Sequence, residues 1–232
     1  PRAGPATPTS DLRTEPNALK ILITAETYPP DVNGAAQFGR RLAHGLLERG
    51  HEVHVAAPMP TRGASRTMED HGITEHRFRS RHAATHPYFR LCLPWEIKRE
   101  VARLLDELKP DVVHAQCHYI LGRLMIREAA RRGIRVVGTN HFIPENIEPF
   151  LPFPEWFIRG YRKVSWWDIA RVFRHCDVIT APTPLAVPDP PVGGGKLGGC
   201  GLVVPDGAPP VPPGIDPRVV QSAIAPGKDV EG

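Results

Sequence analysis

Residues 20–58, KILITAETYPPDVNGAAQFGRRLAHGLLERGHEVHVAAP, decide the fold class of this chain. The first residues form a short apolar run rich in β-branched side chains, and Pro29 ends it, which predicts a buried strand. Apolar residues then recur at helical spacing from Phe38 to Leu47, and HEVHVAAP predicts a second strand. The segment is therefore a strand, loop, helix, strand unit with Gly34 at the start of its helix.

Helices and apolar strands continue to alternate up to Thr183. The predicted helices are PWEIKREVARLLDELKP, LGRLMIREAARRG and roughly residues 154–175, and the predicted strands are DVVHAQ, IRVVGTN and DVITAPT. The pattern weakens between residues 59 and 94, where one strand is predicted at 72–78. This alternation predicts an α/β fold with a Rossmann-like, doubly wound, mostly parallel sheet.

Composition divides the chain into three parts. The chain has 27 prolines and 21 glycines, and the last 51 residues hold 12 of those prolines and 10 of those glycines. A segment of this kind cannot bury enough apolar surface to offset its ordering entropy. We therefore predict a flexible leader at 1–18, one folded domain at 19–183 and an irregular, disordered tail at 184–232.

Charge and cysteine content exclude several classes of protein. The 29 basic and 25 acidic side chains are interspersed, which argues against a dedicated nucleic-acid binder. The four cysteines are far apart and form no CxxC pair, so neither a metal site nor a disulfide framework is predicted. No apolar run approaches the roughly 18 residues of a membrane span. A cytoplasmic protein is expected.

Ligands of open parallel sheets bind beyond the carboxyl ends of the strands, so three junctions are of interest. The first is ETYPPDVNGAAQ, where Gly34 opens a helix. A glycine there lets a phosphate approach the backbone N–H groups and the positive end of the helix dipole. A tight turn is an equally good explanation. Neither GxGxxG nor GxxxxGK[ST] is present, so ordinary dinucleotide and P-loop sites lack support.

The second junction is VVHAQCHYILGR, where His114, Gln116 and His118 occupy alternate positions. Alternate residues share one face of a strand, so these side chains can converge on a polar ligand where strand geometry persists. His114 follows apolar residues directly and is best explained as a hydrogen-bonded core histidine. Gln116 and His118 are the better binding candidates.

The third junction is GTNHFIPENIEPFLPF, which carries four polar side chains after a predicted strand: Asn140, His141, Glu145 and Asn146. Amides, a carboxylate and an imidazole suit a sugar or another polyhydroxyl ligand, because hydroxyls both donate and accept hydrogen bonds. An ordinary polar loop with a helix cap is the alternative.

Residues 156–174 interleave aromatic and basic side chains. A basic aromatic helix can lie on an anionic membrane surface, which predicts peripheral membrane contact. A long core helix with a solvated basic face is the commoner explanation and is favoured, unless the substrate of this protein is lipid-linked.

Four ordered segments resemble family 4 of the retaining glycosyltransferases, which belong to the GT-B class. They are residues 20–58 quoted above, KPDVVHAQCHYILGR, VVGTNHFIPEN and HCDVITAPTP, and together they cover roughly residues 20–184. The branch of bacterial glycolipid-forming glucosyl- and mannosyltransferases is the most similar. The resemblance implies two Rossmann-like domains facing a cleft, with this chain supplying the amino-terminal, acceptor-side domain.

The resemblance also implies roles for the candidate residues. A nucleotide sugar such as UDP- or GDP-hexose is the expected donor, its diphosphate lies near Gly34, and no cofactor is expected. Gln116 stands where many members carry a histidine close to the reacting sugar, so neighbouring His118 is a candidate substitute. His118 and His141 are the expected catalytic residues. The expected acceptor- or sugar-binding residues are Gln116, Asn140, Glu145 and Asn146.

A second, donor-binding domain with a basic pair and a Glu-x7-Glu segment is implied by the family, and nothing after Thr183 resembles it. Natural truncation, a shifted reading frame or a separate donor-binding subunit would each explain this, and the first two are favoured. The expected function is transfer of a hexose to an acceptor hydroxyl with retention. The alternatives are a non-catalytic acceptor-binding module and, with less support, a nucleotide-dependent oxidoreductase.

Overall fold

The computed structural model describes residues 18–82, 90–146, 148, 152–181 and the backbone of 202–203. An eight-stranded sheet forms the centre of the described part, and a two-stranded sheet lies beside it. The strands are β1 (Lys20–Thr24), β2 (Glu52–Pro58), β3 (Arg66–Asp70), β4 (Ile73–Phe78), β5 (Arg81–His82), β6 (Arg90–Leu91), β7 (Val112–Ala115), β8 (Arg135–Thr139), β9 (Val178–Thr180) and β10 (Leu202–Val203). The helices are α1 (Gly34–Leu47), α2 (Pro94–Leu108), α3 (Ile120–Arg131) and α4 (Glu155–Phe173), with a 3-10 turn at Pro144–Asn146.

The large sheet has the order β10-β9-β8-β7-β1-β2-β4-β3. Neighbouring strands from β9 to β4 are parallel, whereas β3 and β10 run antiparallel at the two edges. The chain leaves β1 towards β2 and β4 and later returns to β7 on the other side, so the strand order reverses between β1 and β7. This reversal confirms the predicted Rossmann-like α/β fold and places a crevice at the carboxyl ends of β1 and β7.

Strand alternation builds one apolar core on each face of the sheet. On one face, Ile21, Ile23 and Val55 pack with Leu42 and Leu46 of α1. The opposite face carries a larger cluster. Its strand residues include Leu22 of β1, Val113 of β7 and Val136 of β8. Its helix residues include Ile97 and Val101 of α2, Met125 of α3 and Phe173 of α4. Of the helices in the described ranges, α1 therefore covers one face of the sheet, and α2 to α4 cover the other.

Four strands differ from the predicted elements. Strand β3 has four exposed residues out of five, so it carries no apolar signal, and it forms through pairing with β4. Strands β5 and β6 are two residues each and pair only with one another. Strand β10 adds two residues of the tail to the edge of the sheet beside β9. Apart from these tail residues and Ala18, the predicted leader and tail lie outside the described residues.

Candidate functional site

Gln116 and His141 lie on the α1 side of the sheet, at the carboxyl ends of β7 and β8. A Cβ atom placed on Gly39 of α1 would lie 2.9 Å from Oε1 of Gln116, so the amide is close against the helix backbone. The neighbouring Phe38 ring contacts the His141 ring edge-on, with 4.7 Å between centroids. Gly39 therefore lies against Gln116 and Phe38 against His141, so the structure brings these two side chains to one region of α1.

His118 leaves the face that His114 and Gln116 share, because β7 ends at Ala115. Its ring centroid lies 5.5 Å from that of Phe142 and 6.3 Å from that of Phe173 in α4. The predicted alternation thus holds for two of the three residues and does not extend to His118, which packs towards the opposite helix layer.

His114 is a hydrogen-bonded core residue. Its Nε2 lies 2.7 Å from Oγ1 of Thr139, which in turn lies 2.6 Å from Oγ1 of Thr180. This chain of contacts crosses β7, β8 and β9. Burial, together with the nearby His141, lowers the pKa of His114 to about 3. The structural interpretation of His114 is therefore supported.

Several buried polar atoms beyond β1, β7 and β8 have no hydrogen-bond partner among the described residues. They are Oγ1 of Thr24 at the end of β1 and, beyond the strands, Oε2 of Glu26, Oε1 and Nε2 of Gln116, Nδ1 of His118, Nε2 of His141 and Oε2 of Glu145. Buried polar atoms in proteins are almost always paired, and leaving one unpaired costs about 1–3 kcal/mol. Such a concentration at the ligand-binding edge of an α/β sheet is typical of a site for a polar ligand.

Both candidate catalytic histidines are neutral at neutral pH. Burial lowers the pKa of His141 to about 4. The pKa of His118 also falls to about 4, mainly through burial, while Asp168 raises it and Arg123 lowers it further. A neutral imidazole can accept a proton or a hydrogen bond from a hydroxyl group. Each of these rings can therefore accept a hydrogen bond from a hydroxyl group of a ligand.

Glu26 is a functional candidate that sequence reasoning missed. Its Oε1 accepts hydrogen bonds from the backbone N–H groups of Leu121 (2.6 Å) and Gly122 (3.1 Å), so it caps α3 from the end of β1. Burial raises the pKa of Glu26 to about 7, against the lowering effect of these two bonds and of Arg123. The available signal was an acidic residue two positions after a buried strand.

Helix α1 begins at Gly34 with an accessible amino terminus. Oδ1 of Asn33 accepts a hydrogen bond from Ala36 N at 2.9 Å and caps the helix. A Cβ atom on Gly34 would meet nothing within 4 Å, and its φ lies outside the left-handed region. The backbone therefore does not require glycine here, and the tight-turn explanation loses support. Close approach of a phosphate to the helix remains the prediction.

The loop after β8 uses its polar residues in different ways. The Asn140 side chain donates to Phe142 O at 2.8 Å and accepts from Phe142 N at 3.2 Å, so it shapes the loop that carries His141. Oε1 of Glu145 accepts a hydrogen bond from Trp166 Nε1 at 3.0 Å, while its Oε2 is buried without a partner. The backbone of Asn146 ends the 3-10 turn, and its side chain lies outside the described residues.

Helix α4 does not bury its amino-terminal aromatic residues. Its buried positions are confined to Ile169, Val172 and Phe173, whereas Trp156 and Trp167 are 68% and 58% exposed. These two residues lie eleven positions apart and so share one helix face with exposed Val164. The carboxyl-terminal part of α4 therefore packs in the core, as the favoured explanation expects, whereas that explanation does not account for the exposed aromatic residues. No helix within the described ranges is long and apolar enough to cross a membrane.

Comparison with known proteins identifies the family. The sequence model of Glycosyltransferase Family 4 matches residues 32–187. The chain belongs to glycosyltransferase family 4. This family match contains every candidate residue on α1 and on the loops after β7 and β8, and it confirms the predicted family.

Two characterised relatives are similar to part of this family 4 chain. It is 31% identical over 122 residues to the GDP-mannose-dependent alpha-mannosyltransferase of Mycobacterium tuberculosis, a match that covers 52% of this chain and 32% of that protein. It is also 31% identical over 123 residues to the alpha-monoglucosyldiacylglycerol synthase of Acholeplasma laidlawii, covering 53% of this chain and 30% of that protein. The matched region thus spans about a third of either relative.

Solved structures show weaker similarity. The crystal structure of Acinetobacter baumannii MurG is 16% identical, with a TM-score of 0.44, and the match covers 73% of this chain and 42% of that one. The UDP-GlcNAc 2-epimerase from Methanocaldococcus jannaschii is 11% identical, with a TM-score of 0.40, and the match covers 72% and 39%.

Proposed function

We propose that this family 4 chain is the acceptor-side domain of a hexosyltransferase. The reaction moves a hexose from a nucleotide sugar such as UDP- or GDP-hexose to an acceptor hydroxyl, with retention. The observation that carries the proposal is the group of unpaired buried polar atoms on Gln116, His118 and His141 beyond β7 and β8. The two relatives, a GDP-mannose-dependent mannosyltransferase and a glucosyldiacylglycerol synthase by name, support this reaction class.

The donor diphosphate is assigned to the start of α1. The N–H groups of the first helical turn and the helix dipole favour a negative charge there. The space around Gly34 allows close approach, since no atom lies within 4 Å of a Cβ at that position. Charge develops on the diphosphate as the glycosidic bond breaks, so this helix end stabilises the leaving group.

The sugar and the acceptor are assigned to His141 and Gln116 on the α1 side of the sheet edge, and to His118 on the α4 side. Glycosyl transfer passes through an oxocarbenium-like state, which requires a precisely oriented hydroxyl and a polar environment for the sugar. Each neutral imidazole can accept a hydrogen bond from a hydroxyl group, and the Gln116 amide can both donate to and accept from sugar hydroxyls. In retaining members the donor phosphate is thought to help remove the acceptor proton.

The loop after β8 completes the acceptor side in this proposal. Glu145 offers its unpaired Oε2 to a sugar hydroxyl, and Asn146 follows it on the same 3-10 turn. Asn140 contributes by fixing the loop that carries His141.

Transfer requires a donor-binding domain in addition to the described residues, because the matched relatives are about three times as long as the region they share with this chain. The alternative is a non-catalytic acceptor-binding module. Thermal unfolding of the chain with GDP- and UDP-hexoses separates the two, since a donor that binds the folded state raises the unfolding temperature.

We also propose peripheral contact with an anionic membrane, on the cytoplasmic face, through residues 156–174. Trp156, Val164 and Trp167 expose apolar surface, and the guanidinium of Arg171 lies over the Trp167 ring at 5.2 Å. Exposed aromatic residues flanked by cations are typical of helices that lie on lipid surfaces.

Co-sedimentation with phosphatidylglycerol vesicles tests the membrane contact. The double variant Trp156→Ala, Trp167→Ala should bind at least about tenfold more weakly, because each buried aromatic side chain contributes about 1.5 kcal/mol or more. Trp95→Ala is the matched control, since Trp95 is 77% exposed and lies on α2. Equal binding of the double variant and the wild type would contradict the contact.

The catalytic assignments are tested by sugar transfer in this chain joined to a donor-binding domain. His141→Ala and His118→Ala should each lower the transfer rate by about 10²-fold or more. His175→Ala, on an exposed imidazole after α4, is the control and should leave the rate unchanged. Unchanged rates in the first two variants would overturn these assignments.

A further inference from the structure

An arginine-lined pocket lies on the same edge of the sheet, beyond β2 and β4. Arg62 comes from the β2–β3 connection, residues 79–82 follow β4, and Arg90 belongs to β6. The cavity has a volume of about 530 Å³, and none of its lining residues within the described part of the chain is acidic. A cationic recess on the ligand-binding edge of an α/β sheet favours an anionic ligand.

Arg90 is the buried cation of this pocket. The residue is 8% exposed, and its guanidinium donates to Ser80 Oγ at 2.8 Å and to Ser80 O at 3.0 Å. Both acceptors are neutral, and no carboxylate of the described ranges lies within 4.0 Å. Burial raises the pKa of Asp31, and the positive charges of Arg77 and Arg90 partly offset that rise. A buried guanidinium without a paired anion is costly, so an anionic group would stabilise it.

The pocket walls are fixed by hydrogen bonds from both connections. Ser80 Oγ donates to Met59 O at 2.6 Å, and Arg79 N donates to Ser65 Oγ at 2.8 Å. Beneath them, the Arg77 guanidinium donates to Pro58 O at 3.3 Å and to Pro29 O at 2.5 Å. The pocket is therefore built into the fold and is tied to the loop that precedes α1.

Of the arginines at the rim, Arg62 and Arg79 can interact with an anion, whereas Arg81 cannot. Arg81 is neutralised by Glu96, with 2.5 Å between Nη2 and Oε1. Arg79 lies 3.9 Å from the same carboxylate oxygen and stays 54% exposed. Arg62 is exposed and makes no ion pair with a described residue. Arg62 and Arg79 at the rim and Arg90 below them are therefore available to an anion.

We propose that this pocket binds a phosphate or carboxylate group through Arg62, Arg79 and Arg90. Guanidinium groups bind both anions through paired, charge-assisted hydrogen bonds. Strand β4 is three strands from β7, about 14 Å at the usual strand spacing, so the anion lies away from the reacting atoms. Its identification as the charged end of the acceptor rests on the proposed function, whereas anion binding itself does not.

Thermal unfolding of the full chain in inorganic phosphate, against chloride at equal ionic strength, tests the pocket without any sugar transfer. Phosphate should raise the unfolding temperature of the wild type. The double variant Arg62→Gln, Arg79→Gln should bind phosphate about tenfold more weakly per arginine removed, as expected for one charge-assisted hydrogen bond each. Arg49→Gln, Arg103→Gln is the matched control, since both side chains are exposed and lie outside the pocket, after α1 and on α2.

The same measurement with a soluble short-chain phosphatidylglycerol identifies the source of the anion. Tighter binding of the lipid than of phosphate, lost in the pocket variant, supports a lipid headgroup, and equal binding supports a free anion. Absence of any phosphate-specific effect on the wild type would overturn the proposal. So would an equal response of the pocket and control variants. Both rim arginines are exposed, so these substitutions leave the fold intact.

Discussion

Helices α1 and α3 both begin at the carboxyl edge of the sheet, but their first turns differ. The carboxylate of Glu26 occupies the N–H groups of Leu121 and Gly122 at the start of α3. At the start of α1, the neutral side chain of Asn33 caps Ala36, and Gly34 is exposed with open space around it. Helix starts attract anions. One of them therefore binds the protein's own carboxylate, and the other is accessible to a phosphate from outside.

The largest expected effect on the free energy of unfolding comes from a substitution at the start of α3, where Glu26 already occupies the helix N–H groups. A Cβ on Gly122 would lie 2.1 Å from Cys117 O, a backbone atom that cannot move aside, whereas a Cβ on Gly34 would meet nothing. Gly122→Ala should lower the free energy of unfolding by about 3 kcal/mol. The matched Gly34→Ala should change it by less than about 0.5 kcal/mol. Urea unfolding measures both, and similar values for the two variants would remove the distinction.

An effect of similar size is expected from the proton on Glu26. Its pKa is raised from 4.5 to about 7 in the folded chain, so the folded state retains a proton that the unfolded state loses. The contribution of Glu26 to the free energy of unfolding therefore falls as the pH rises from 4.5 to 7, by at most about 1.4 kcal/mol per pH unit. Above that window the contribution is constant.

Glu26→Gln isolates this contribution. Buried histidines with lowered pKa values, among them His118 and His141, act in the opposite direction and stabilise the chain as the pH rises from about 4 to 6.5. The difference between the wild-type and Glu26→Gln curves removes that background. The difference should decline across the window, and parallel curves would show that the Glu26 carboxyl titrates normally.

The smallest effect is expected at the start of α1, where no carboxylate of the described residues occupies the helix N–H groups. Asn33→Ala removes the cap of α1 and should lower the free energy of unfolding by about 1 kcal/mol. Thermal unfolding gives this value. A loss as large as that of Gly122→Ala would show that the start of α1 is as tightly built as that of α3.

The fold could be predicted from sequence because apolar periodicity marks its main elements. Helix α1 and strands β1, β2, β7 and β8 all carry strong alternation or helical spacing. Strand β3 could not be predicted, because its polar residues pair at an exposed edge and leave no hydrophobic pattern. The local signal for the pairing of β3 with β4 is the two-residue turn at His71 and Gly72, both with positive φ.

The candidate site could be predicted in part. Position after a strand identified Gln116 and His141, since parallel strands end at one edge of the sheet. The strand geometry on which the grouping of His118 depended does not persist, because β7 ends at Ala115. Glu26 was missed because its partners, Leu121 and Gly122, lie 95 and 96 positions away in the sequence.

The most direct test of the donor site places a carboxylate at the start of α1, as Glu26 does at the start of α3. Asn33→Asp keeps a good cap and adds a carboxylate, whereas Asn33→Ser keeps a cap without charge. The measurement is the nucleotide-sugar concentration that gives half-maximal transfer, in this chain joined to a donor-binding domain. We predict about a tenfold increase for Asn33→Asp, as expected for the loss of one favourable charge interaction, and little change for Asn33→Ser. Equal values for the two variants would contradict the assignment of the donor diphosphate to α1.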